Sequence, residues 1–152
     1  LCEIVNIHDD SLVFEPIFRV MFGVSPLDVL SSIEKYFGSC NDISGSKVHC
    51  IFGNEEKDIY IPTNGSLTVG ALQNFIDSYI KEHEGAEVDY IHGEDVGETL
   101  SRKENTIGFI FDGMKKSELF PAIMLDGVLP RKTFSMGHAS DKRFYIEARK
   151  IK

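Results

Sequence analysis

The chain of 152 residues is 42% hydrophobic and 26% charged with a formal net charge of −8, the composition of one globular domain rather than of a disordered segment. No apolar run approaches the roughly 20 residues needed to cross a membrane. No basic stretch precedes a short apolar one, as a secretory signal requires, and the acidic balance argues against nucleic acid as a partner of the whole domain.

Leu1–His8 reads as a buried strand carrying Ile4, Val5 and Ile7, bounded by the polar run His8-Asp9-Asp10-Ser11. Val13 to Val24 is extended, with an edge or irregular part where Pro16 interrupts it. Ser25-Pro26-Leu27-Asp28 starts a helix, with a capping Ser, Pro at the first helical position and an acid in the first turn. Its apolar stripe is Val29, Leu30, Ile33, Tyr36 and Phe37, and Gly38 stops it. Val48–Phe52 and Ile59–Ile61 flank Gly53-Asn54-Glu55-Glu56 as a β-hairpin. Thr68 is expected to cap a second helix with the stripe Val69, Leu72, Phe75, Ile76, Tyr79 and Ile80.

Val88 to Ile91 is a short strand, and Glu94 to Lys103 has acids first and bases last, as the helix dipole favours. Ile107–Phe111 forms another strand, and Glu118 to Leu125 a short helix with Pro121 in its first turn. Phe144, Ile146 and Ala148 alternate with polar neighbours in a closing strand. The expected architecture is a single α/β (α+β) domain over residues 1–152, a mixed β-sheet flanked by about four helices.

Most sequence motifs with a known chemistry are missing. Cys2, Cys40 and Cys50 are odd in number and contain no Cys-x-x-Cys, so neither a zinc ribbon nor a redox pair is indicated, and free thiols in a reducing cytoplasm are expected. His49, His92 and His138 share no metal-ligand spacing. His8-Asp9, at a strand end, has residue types for metal or general-base chemistry but also the composition of an ordinary turn. Ser135, His138 and Asp141 lie too close together in sequence for a triad assembled from separate elements. Neither Gly-x-x-x-x-Gly-Lys-Ser/Thr nor Gly-x-Gly-x-x-Gly occurs.

Two segments stand out. Phe14-Glu15-Pro16-Ile17-Phe18-Arg19 sets a charged pair within an apolar run, and a partly buried charge must be paired or bound. Leu129-Pro130-Arg131-Lys132-Thr133-Phe134-Ser135-Met136-Gly137 offers two cations followed by two hydroxyls, groups that can surround an anion. The charge is also lopsided. Residues 131–152 hold seven Lys and Arg against two Asp and Glu, a balance of +5, so the first 130 residues carry −13.

These two segments, with Asn6 to Leu12 before the first and Lys142-Arg143-Phe144-Tyr145 after the second, resemble a family catalogued as domain of unknown function 1015. The resemblance covers nearly the whole chain. Family members are longer and carry an N-terminal Asp-Gly-Asn/His-His motif that this sequence lacks, so the chain is expected to be the C-terminal part of such a protein. That motif is similar to one in partition-protein and free-serine-kinase folds, which implies nucleotide or phosphate handling. On matching positions the resemblance places Glu15, Arg19, Arg131, Lys132 and Thr133. Phe18 stands where the family usually has His, and His138 where it often has an acid.

The expected site is therefore Glu15, Arg19, Arg131, Lys132, Thr133 and Ser135, binding a phosphate-bearing small molecule or nucleotide without a metal, and without catalysis by this part alone. The alternative is an interaction module in which the same cations dock on the N-terminal region of the same protein or on a second subunit of a homo-oligomer.

Overall fold

The computed structural model describes residues 4–138 and is organised around strand β1, Phe14–Phe22. The remaining elements are α1 (Pro26–Phe37), β2 (Ser46–Phe52), β3 (Glu55–Ile61), α2 (Thr68–Glu82), β4 (Glu87–His92), α3 (Glu94–Ser101), β5 (Thr106–Phe111), a 3-10 turn (Lys116–Glu118), α4 (Leu119–Asp126) and β6 (Phe134–Met136). The strands run in the order β3-β2-β5-β1-β4, and β6 pairs with the start of β1.

Crossover connections are present, yet every ladder among the described residues is antiparallel. The expected single α/β domain, a sheet flanked by four helices, is there, and its hydrogen-bonded neighbours all run antiparallel. The reason lies in the crossovers, which skip one strand or three. The helix α1 links β1 to β2, which run the same way with β5 between them, and α3 links β4 to β5 across β1. Parallel strands are thus never adjacent. Pro16 fits this arrangement because it lies in the stretch of β1 that pairs only with β6, before the ladders to β4 and β5 begin.

Both α1 and α2 cover one face of the sheet. Val29 and Ile33 of α1 and Leu72, Phe75 and Ile76 of α2 pack on Met21, Val48, Cys50, Ile107 and Phe109. Burial of each such side chain stabilises the fold by roughly 1.5–3 kcal/mol. On the opposite face α3 lies close to β1 and β5, where Phe18, Ile51 and Ile110 form a smaller cluster. Glycine permits that approach, since a Cβ on Gly108 would sit 1.7 Å from Ser101 Oγ. At the end of β1, Gly23 has φ +69°, and a Cβ there would lie 2.4 Å from the Gly85 carbonyl oxygen.

The first helix follows its sequence signals in placement, with Ser25 at the N-cap, though without a side-chain cap bond, Pro26 at the first position and Gly38 at the C-cap with φ 83°. The second begins one residue earlier than expected. Leu67 is its N-cap, and Thr68 is the first helical residue with no capping side-chain bond.

The expected strand over Leu1–His8 is not formed by residues 4–8. Here Asn6 and Asp9 accept hydrogen bonds from the backbone N–H groups of His8 and Ser11, local turns that compete with a ladder. Ile4 consequently stays 98% exposed. The expected closing strand over Phe144–Arg149 lies outside the described residues, as do Leu1–Glu3.

Candidate functional site

Alternation along β1 turns Arg19 and Met21 to the face that α2 covers. Arg19 is nonetheless fully buried, and a buried guanidinium needs acceptors. It donates from Nε to Gln73 Oε1 at 3.1 Å, from Nη1 to the carbonyls of Ile17 and of Lys132, the latter at 3.0 Å, and from Nη2 to the Arg131 carbonyl at 3.0 Å. Four of its five N–H groups are therefore engaged by protein oxygens. None of these acceptors is charged.

Burial lowers the Arg19 pKa to about 10; Tyr90 acts against burial, as Asp77 does more weakly, and the like charge of Arg131 acts with it.

From Gln73 the network continues outward. Gln73 Nε2 donates to Asp77 Oδ1 at 2.8 Å, one turn further along α2. The same oxygen accepts from Arg131 Nη2 at 2.7 Å. Arg19 thus holds the Arg131–Lys132 turn by its backbone, and α2 holds the Arg131 side chain. Lys132 takes a left-handed conformation with φ 52°.

The three cations meet on one aromatic ring. Tyr90 of β4 lies directly opposite Arg19 in the ladder. Arg19 Cζ is 5.0 Å from its ring centroid, Arg131 Cζ 5.6 Å and Lys132 Nζ 4.8 Å. Each distance is within cation–π range. Among the described residues, Asp77 is the one carboxylate that an ion pair ties to these cations. The cluster is therefore cationic within an acidic protein.

A cleft of about 740 Å³ opens beside it, with Gln73, Asp77 and Arg131 in its wall together with Pro130, Tyr36 and Phe37. That size suits a small-molecule ligand.

No family model matches the sequence, and the search of the curated proteins gave no match. Solved structures do match. Free serine kinase shares the fold. A point mutant of that kinase in complex with ADP has a TM-score of 0.66 at 14% identity over 90% of this chain and 58% of that one. The same mutant in complex with AMP has a TM-score of 0.65 at 15% identity, again over 90% of this chain and 58% of that one. The chain thus spans under two-thirds of the length of the structures it matches.

Within this shared fold the six residues expected at the site fall into three groups. Arg19, Arg131 and Lys132 converge on Tyr90, with Arg19 buried in a positioning role and the other two exposed. Thr133 turns away; its hydroxyl donates to the Pro130 carbonyl at 2.6 Å, closing the turn, and it lines a second cleft of about 360 Å³ that includes Lys47 and Lys115. Glu15 and Ser135 face each other in the β1–β6 ladder, and Glu15 pairs with Nδ1 of His138.

The His8-Asp9 segment is a turn in which Asp9 Oδ1 accepts from the Ser11 hydroxyl at 2.7 Å, which holds the Asp9 carboxyl below the usual range. Among the described residues no group of three His, Cys, Asp or Glu side chains is arranged to hold a metal ion, and no helix is long and apolar enough to cross a membrane.

Sequence reasoning missed Tyr90, Gln73 and Asp77. For Gln73 a signal exists: it lies one residue after Leu72 inside the apolar stripe of α2 and is buried there, and a polar side chain on a core face calls for a partner.

Proposed function

We propose that this chain binds the phosphate groups of a nucleotide at the Arg131–Lys132 turn, with the nucleoside in the adjoining 740 Å³ cleft. The observation that carries this reading is the meeting of three cations on the Tyr90 ring with one ion-paired carboxylate. Like charges held at that spacing repel, and an anion is the group that relieves the repulsion. Arg131 and Lys132 are exposed and can meet a phosphate with charge-assisted hydrogen bonds. Arg19 supports them from below through their carbonyls. Tyr36 and Phe37 give the cleft aromatic surface suited to a base. The AMP and ADP complexes of the similar fold favour the same ligand class.

Calorimetric titration of the protein with AMP, ADP and inorganic pyrophosphate tests this. Binding is expected for ADP and pyrophosphate, weakened about tenfold or more in Arg131→Ala through loss of a charge-assisted contact. Equal affinity of the variant and the wild type contradicts it.

A second reading, docking of the same cations on an acidic protein surface, is favoured by the pairing of Arg131 with the Asp77 carboxylate. It predicts a mass in solution that falls as salt rises, since exposed ion pairs are screened. Nucleotide binding to a monomer of constant mass excludes it.

A further inference from the structure

Among the described residues, two buried polar atoms on β4 have no hydrogen-bond partner, Oη of Tyr90 in this cluster and Nδ1 of His92. They lie two residues apart on β4, so both side chains leave the same face of the sheet. Tyr90 is opposite Arg19 in the ladder and His92 is opposite Ile17, whose carbonyl accepts from Arg19. A buried hydroxyl without a partner costs free energy, and such groups are rare in folded proteins. Here one of them belongs to the ring on which three cations meet, and the other lies two residues along the same strand. The ring of Tyr90 already serves as the platform for Arg19, Arg131 and Lys132. Its hydroxyl makes no hydrogen bond among the described residues.

We infer that the Tyr90 hydroxyl is a ligand-contacting group of the anion site, donating a hydrogen bond to a phosphate oxygen, with His92 Nδ1 beside it as a second polar contact. The inference rests on the phosphate-binding reading and deepens it by naming the uncharged donors. The ligand class is a phosphate or diphosphate that enters when the exposed Lys132 side chain swings from the ring to meet it, beside an Arg131 guanidinium that Asp77 keeps in place. Arg131 and Lys132 supply charge, which is nondirectional, whereas the phenol supplies a donor at one fixed point. Lys132 Nζ has no carboxylate partner among the described residues, so its displacement breaks no ion pair. The orphaned hydroxyl is then a cost borne by the empty protein and relieved on binding.

That last consequence gives a two-sided test. Tyr90→Phe keeps the ring and its cation contacts and removes only the hydroxyl. The melting temperature of the empty variant is expected to equal or exceed that of the wild type. Its Kd for ADP and for inorganic pyrophosphate is expected to rise about tenfold, the effect of losing one hydrogen bond to a charged group. His92→Leu is expected to show the same pair of changes to a smaller degree.

An unchanged Kd in Tyr90→Phe overturns the inference while leaving the cation site intact. A raised Kd together with a lower melting temperature of the empty protein assigns the hydroxyl a structural role and also overturns it. Failure of the wild type itself to bind either probe removes the phosphate reading and this inference with it.

Discussion

The two sides of α2 present opposite solutions to burial. Toward β2, β3 and α1, Leu72, Phe75 and Ile76 meet apolar neighbours, and a polar contact there, Tyr79 Oη donating to Asp28 Oδ2 at 2.7 Å, joins α2 to α1. Toward β1 and β4, Gln73 meets Arg19, and a chain of polar contacts runs through Asp77 to Arg131 at the surface. The apolar side is complete in itself. The polar side ends in exposed cations, a shared tyrosine ring and two unpartnered buried atoms. A fold that needed only stability could fill that side with hydrocarbon at no loss. The contrast separates the region that holds the domain together from the one proposed to meet a ligand.

The strongest way to break this comparison is at Arg19. Arg19→Met removes the donor to three carbonyls and to Gln73, leaving buried and part-buried acceptors without that partner. A loss of about 3–5 kcal/mol is expected in chemical denaturation, the sum over several neutral acceptors left without a donor at about 1–3 kcal/mol each. Leu72→Ala in the apolar half is expected to cost about 2–5 kcal/mol through its cavity. The two should differ in a second readout: Arg19→Met also abolishes ADP binding by releasing the Arg131–Lys132 turn, and Leu72→Ala leaves the Kd unchanged. Equal effects of both on binding would erase the distinction.

A smaller effect is expected on the opposite face of the sheet. Gly108→Ala places a Cβ against Ser101 and forces α3 away from β5, at a cost of about 1–3 kcal/mol for overpacking. Nucleotide affinity should not follow, because α3 lies across the sheet from the cluster. A Kd change in this variant would extend the site through the sheet.

The smallest effect belongs to the exposed β2–β3 hairpin. Hydrogen bonds from Lys47 and His49 lower the Asp58 pKa below its ordinary 3.8, and a bond from Arg102 lowers that of Glu56 below 4.5. Because these folded-state values lie below the unfolded ones, the stabilisation is complete above about pH 5. It is lost as pH falls through the folded values, below about pH 4. Thermal unfolding followed from about pH 6 to about pH 3 should show this decline, with a shallower slope in Asp58→Asn.

Local signals made part of this structure legible beforehand. Ser25-Pro26 through Gly38 marked α1, and the two runs flanking Gly53-Asn54 marked the hairpin, because the deciding interactions lie within a few residues. The Leu1–His8 expectation failed because apolar residues in sequence do not guarantee a sheet edge to pair with, and the Asn6 and Asp9 side chains offered turns instead. Arg131 and Lys132 could be singled out from charge. The role of Arg19 could not, since its acceptors on Arg131 and Lys132 lie 112 and 113 residues away. Tyr90 was hidden for the same reason: the register between β1 and β4 sets it against Arg19. The antiparallel ladders follow from crossovers that skip one strand or three, a property of topology that side-chain patterns do not encode.

The central claim is that the cations on the Tyr90 ring form an anion site. Its most direct test is the affinity for ADP of the wild type and of the Arg131→Ala/Lys132→Ala double variant, at low salt and at about 200 mM salt, where the Debye length is about 7 Å. The account predicts ADP binding by the wild type that weakens with salt, and a loss of about 100-fold in the double variant at low salt. Wild-type affinity in the double variant, or no ADP binding by either protein, would contradict it.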